Sequence, residues 1–170
     1  MDLRQVIRDV PDFPKPGILF RDITPVLADP RAFRAALAGL RDLIAPLAFD
    51  KFAAIESRGF LFAAPLAAEL GKGLIALRKP GKLPAATITE TYALEYGEAS
   101  LQMHRDAVAR GERVIVVDDL LATGGTAGAA GRLVVRQGGS VAAWVFLVEL
   151  CALGGRDRLA GAPVFSLVEY

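Results

Sequence analysis

Residues 114–126, Val-Ile-Val-Val-Asp-Asp-Leu-Leu-Ala-Thr-Gly-Gly-Thr, constrain the fold more than any other stretch. Val114–Val117 is apolar and β-branched without a break, as a strand covered on both faces of a parallel sheet must be. Asp118 and Asp119 then fall at the strand's carboxyl end, where open α/β sheets hold their ligands. The turn Ala122, Thr123, Gly124, Gly125 and Thr126 follows. Its glycines permit close backbone approach, and Thr126 is placed to cap the next helix. Amides at such a helix start attract phosphate, aided by the macrodipole. Two carboxylates beside a phosphate cradle suit a sugar phosphate, with vicinal hydroxyls on the aspartates and the 5-phosphate on the turn. Neither G-x-x-x-x-G-K-[ST] nor G-x-G-x-x-G is present, so the common nucleotide loops do not apply.

The remaining pattern alternates strand and helix. Residues 52–56 form a short apolar strand, a helix runs to about Leu70, and Leu74–Leu77 is a second strand. Helix 126–137 and strands 141–148 and 164–168 complete a doubly wound, mostly parallel α/β sheet. At 170 residues the chain reads as one domain, 1–170. A net charge of +1 disfavours general nucleic-acid binding. The apolar runs fall short of the ~20 residues that span a bilayer, so no membrane association is expected. The lone Cys151 suits a reducing cytoplasm and reads as a small buried hydrophobe behind the run 141–150.

At the N-terminus, Leu3, Val6, Ile7 and Val10 predict a short amphipathic helix over 2–10. Pro11, Pro14 and Pro16 then enforce an extended strap, 1–28 in all. It is either a simple cover or, through Leu19, Phe20 and Arg21, a clamp for a planar base. Asp29-Pro30 opens a helix striped with Phe33, Ala36, Leu37, Leu40, Ile44 and Leu47.

Glu56-Ser57-Arg58-Gly59 ends the first sheet strand. Alone, Arg58 would be a solvated charge. Beside a second cradle on the same sheet edge, its planar guanidinium suits a diphosphate. Arg78, Lys79 and Lys82 concentrate cations at the next strand's end. Residues 85–103 alternate weakly and break at Glu95-Tyr96-Gly97, which predicts a mobile β-ribbon arm with a flexible tip rather than a core element. His104 reads as a solvated arm residue and Trp144 as core.

With these pieces assembled, the chain resembles the adenine phosphoribosyltransferases, a branch of the type I phosphoribosyltransferases that use phosphoribosyl diphosphate (PRPP). DFPKPGILFRDITPVL (12–27), ESRGF (56–60), RKPGKLP (78–84), YALEYG (92–97), VVDDLLATGGT (116–126), LVEL, GGRDRLAG and VFSLVEY carry the likeness. The PRPP motif alone gives the superfamily; the strap, the LEYG arm and the tail point to the adenine branch. The resemblance implies adenine and PRPP as substrates, AMP and diphosphate as products, and a role in purine salvage. It implies Mg²⁺ held mainly by PRPP oxygens and water, and a homodimer with adjacent sites.

It places the ribose hydroxyls on Asp118 and Asp119 and the 5-phosphate on Ala122–Thr126. Diphosphate falls to Ser57, Arg58, Lys79 and Lys82, with Arg78 reaching a neighbouring subunit. The base lies between Phe20 and Leu150 and reads the backbone of Leu19 and Arg21. Glu95 and Tyr96 occupy the family's mobile catalytic loop. Phe62-Ala63-Ala64 stands where a glycine is frequent, and helix 127–136 is unusually rich in Ala and Gly. The alternatives are transfer to another purine base, or a PRPP-sensing regulator without turnover.

Overall fold

A computed structural model describes residues 1–93 and 97–170. Five parallel strands make the central sheet: β3 (Lys51–Ile55), β4 (Gly73–Leu77), β7 (Arg113–Leu121), β8 (Ser140–Glu149) and β9 (Val164–Glu169), in the order β4-β3-β7-β8-β9. Helices α2 (Pro30–Ile44) and α3 (Gly59–Leu70) cover one face. Helix α4 (Gly125–Arg136) covers the other, together with a ribbon of β5 (Thr87–Ala93) and β6 (Glu98–His104). The doubly wound α/β reading of the sequence therefore holds.

Strand β7 sits in the middle of the sheet, which is why Val114–Val117 had to be apolar on both sides; all four are fully buried. Its pairing with β3 stops at Val117, whereas its pairing with β8 continues to Leu121↔Glu149. Asp118 and Asp119 thus lie inside a strand longer than expected, but beyond the end of β3. That step in the sheet's edge opens the site. Asp29 caps α2 by accepting the Arg31 amide (2.8 Å), and Ala32, Ala36, Leu40 and Ile44 are its buried stripe.

Three expectations need correction. Residues 2–10 do not form a helix: a 3₁₀ turn at Leu3–Gln5 leads into β1 (Arg8–Pro11), which pairs antiparallel with β2 (Leu19–Asp22). Short α1 (Thr24–Ala28) follows β2. The ribbon does belong to the core, because Leu101 and Met103 are buried against the sheet. Cys151 is exposed, since the chain has already left β8 for a 3₁₀ turn on the open edge. Trp144 is core, as read from the sequence, and His104 is half-buried, with Nε2 accepting the Ala85 amide (3.3 Å).

Candidate active site

The carboxyl edge of β3, β4, β7 and β8 gathers most of the residues singled out above. Asp119 is 5% exposed and accepts a short hydrogen bond from Arg58 Nε, so the turn after β3 is tied directly to β7. Asp118 accepts the Asp119 backbone amide (2.9 Å). Burial, and then the neighbouring Asp119 charge, push the Asp118 carboxyl well above the ordinary carboxylate range. Two carboxylates and one guanidinium leave a region ready to exchange partners with a polyhydroxylated, anionic ligand.

Glu56 organises the cationic segment, a role the sequence reading did not assign although Glu56 lay in its quoted ESRGF motif. Its carboxylate accepts the Lys79 amide (2.8 Å) and pairs with Arg78 (3.3 Å). The Lys79 amide and then Arg78 hold it below the usual range, against the effect of burial. Arg78 exchanges backbone hydrogen bonds with Gln102 of β6 (3.0 and 2.7 Å). Its side chain is turned inward to its own chain's Glu56. Ser57, Lys79 and Lys82 are exposed after the same strands β3 and β4.

Within the turn Ala122–Thr126, Gly124 has a φ of +80°, the left-handed conformation, and is the N-cap of α4. Thr126 does not cap the helix, contrary to expectation: its hydroxyl donates to the Tyr92 hydroxyl of β5 (3.1 Å). Amides of the first turn of α4 lack intrahelical acceptors, which leaves them able to bind an anion. Tyr92 is a second contributor that periodicity could not reveal, because β5 and α4 meet only in the folded chain.

The strap brings Leu19 to the surface, with Phe20 half-buried and edge-on to Phe13 (centroids 5.1 Å apart). Arg21 lies over the Tyr170 ring (3.8 Å) and pairs with Asp9. Tyr170 also bonds the segment after β8: its carbonyl accepts the Cys151 amide, and its amide donates to the Glu149 carbonyl (2.9 Å each). Tyr170 therefore joins the strap to the turn that carries Leu150. Leu150 in turn donates its amide to the Leu121 carbonyl (2.9 Å), next to the cradle. Glu95 and Tyr96 lie outside the described residues.

The phosphoribosyl transferase domain profile matches residues 26–160. An adenine phosphoribosyltransferase of Anaeromyxobacter dehalogenans (strain 2CP-1) is 57% identical over 99% of this chain and 98% of its own. The enzyme of that name from Thermoanaerobacter pseudethanolicus superposes with a TM-score of 0.97 at 51% identity, covering 99% of this chain and 98% of its own. The Saccharomyces cerevisiae enzyme, solved with an imino-altritol bisphosphate and adenine, gives 0.91 at 39% identity over 98% and 96%.

Proposed function

This chain belongs to the adenine phosphoribosyltransferases, within the phosphoribosyl transferase family, and from that membership we propose how it joins adenine to PRPP in purine salvage. A base ring nitrogen forms a bond to C1 of the ribose, the C1–oxygen bond to diphosphate breaks, and the ring nitrogen loses its proton. The products are AMP and diphosphate. The observation that carries the assignment of parts is the single sheet edge holding Asp118, Asp119, the Gly124 turn and Arg58.

The 5-phosphate would rest on Ala122–Thr126 and the ribose hydroxyls on Asp118 and Asp119. Arg58 would leave Asp119 for the diphosphate, joined by Ser57, Lys79, Lys82 and Arg78. Adenine would lie on Phe20 and Leu150 and meet the backbone of Leu19 and Arg21. Glu95 and Tyr96 would be carried by the ribbon to the reacting atoms, where Glu95 shares the purine proton; such acid–base help is worth about 10²–10⁴ in rate. Positive charge grows on the ribose and negative charge on the leaving group, so fixed cations at the diphosphate and exclusion of water drive the transfer.

Mg²⁺ fits this arrangement as a cation carried by the substrate. Among the described residues no three His, Cys, Asp or Glu side chains converge on a common point. Asp118 and Asp119 would border the ion, and PRPP oxygens and water would supply the other positions, as Mg²⁺ commonly arranges. When bound it neutralises charge on the departing diphosphate.

A homodimer is the proposed assembly, supported by exposed Leu61 and Leu74 on the neighbouring α3 and edge strand β4. Sedimentation showing a fully active 18.0 kDa species at micromolar concentration would exclude it. A cytoplasmic location accords with salvage and with the free Cys151 thiol. Incubation with PRPP, Mg²⁺ and each purine base, followed by nucleotide separation, tests the whole reading. AMP from adenine is the expected product, and its absence rejects the assignment.

A further inference from the structure

Between the base-side Leu150 and the cradle Ala122–Thr126 the chain makes a detour, 150–158, whose course is fixed by one buried carboxylate. Glu149, the last residue of β8, is 3% exposed. It accepts hydrogen bonds from Arg156 Nε (3.0 Å), from Arg156 Nη2 and from the Ser166 hydroxyl (2.5 Å). The same guanidinium donates to the Val164 carbonyl (2.7 Å) and reaches Glu169 (3.3 Å). One planar fork therefore ties the end of β8 to both ends of β9. A point charge could not make these contacts together.

The segment so held touches both subsites. At its start, Leu150 is bonded to the Leu121 carbonyl (2.9 Å). At its far end, Gly155 presses on the cradle: a Cβ there would stand 2.2 Å from the Ala122 carbonyl oxygen and 2.9 Å from Leu121 Cδ1. Contact in the other direction is as close, since a Cβ on Gly124 would lie 2.6 Å from the Gly155 oxygen. Base contact, detour and cradle form one packed unit.

We propose that Arg156 and Glu149 are positioning residues for phosphoribosyl transfer, setting the base-side wall at Leu150 relative to the 5-phosphate cradle. The inference rests on the assignment of those two subsites given above. Neither residue touches a reacting atom. Transfer needs the base nitrogen and the ribose carbon aligned at about 3–3.5 Å, and a misplacement of about 1 Å costs about 10²-fold. Loosening the clamp should therefore lower kcat more than it weakens PRPP binding.

The test compares wild type, Arg156→Lys and Arg156→Ala for kcat, for the PRPP dissociation constant, and for hydrogen exchange at the Leu150 amide, well below each protein's own Tm. The expected order of kcat is wild type, Lys, then Ala, the last down about 10²-fold, with PRPP affinity changed less than about threefold. The Leu150 amide should exchange faster in both variants. If Arg156→Ala fails to fold, Arg156→Lys decides alone: a loss of about tenfold supports the clamp. Unchanged kcat in the folded Lys variant overturns it, and would leave Arg156 as a stabilising residue only. If wild type forms no AMP, the functional reading fails separately, and unaltered Leu150 exchange in the Lys variant then rejects the clamp on its own.

Discussion

Arg58 Nε donates to Asp119 Oδ2, so the cation proposed for a diphosphate and the carboxylate proposed for a ribose are each other's partners. On the proposed reading, PRPP would exchange this internal pair for two ligand contacts and so keep the buried Asp119 paired. Arg58→Lys keeps the charge but loses the fork. It should weaken PRPP binding by about 1.5–3 kcal/mol, the usual worth of a charge-assisted hydrogen bond. Titration calorimetry showing native affinity would remove Arg58 from the diphosphate subsite.

Asp118 should trade stability for binding. Its carboxyl is raised well above 3.8 by burial and by Asp119, so the folded chain retains a proton there that the unfolded chain releases. Above 3.8 the unfolded state therefore gains relative stability as pH rises, until the folded group titrates in turn. Asp118→Asn, neutral at every pH, should melt higher than wild type, by a margin that widens with pH from the acid range towards neutrality. It should also bind PRPP more weakly, by about 1.5–3 kcal/mol. Melting curves at several pH values with a constant margin would show that Asp118 is not the titrating group.

Much of this site could be read before folding because its elements are local. Val114–Val117 announced a central strand, and the turn 122–126 announced a helix start within the same stretch. What escaped notice depends on partners distant in sequence. Leu3 and Ile7 do have helical spacing and are buried, but β1 finds its partner in β2 only after the three prolines reverse the chain. Thr126 has the chemistry of a cap, yet Tyr92 lies within reach and Gly124 already turns the chain. Glu149 lies within the run 141–150; only the fold supplies Arg156 and Ser166, which outweigh the cost of burying its charge and hold its pKa low.

The small residues of α4 have a steric explanation with a measurable consequence. A Cβ on Gly131 would stand 2.2 Å from Trp144 Cη2, inside the sheet-to-helix layer. Gly131→Ala should cost about 1–3 kcal/mol by overpacking, despite alanine's better helix propensity. PRPP affinity should stay near native in the folded protein, because Gly131 lies beyond the first turn of α4. Chemical denaturation at native stability would mean that Trp144 has room to shift.

Tyr170 offers the sharpest separation of base from phosphate. Its ring holds Arg21 at 3.8 Å and Arg4 at 5.2 Å, and its backbone bonds both sides of Leu150. Its hydroxyl, by contrast, is buried without a hydrogen-bond partner among the described residues. Burial raises its pKa, with Arg21 opposing. Tyr170→Phe deletes only that unpaired group, so stability should be unchanged or higher by about 1 kcal/mol. Tyr170→Ala removes the platform for Arg21, a cation–π contact worth about 0.5–2 kcal/mol, and frees the strap. The KM for adenine should then rise up to about 30-fold, the equivalent of that contact, while PRPP affinity is kept, because the proposed phosphate amides belong to the first turn of α4 and not to the strap. Equal changes in both substrates would show that Tyr170 supports the whole sheet edge rather than the base side alone.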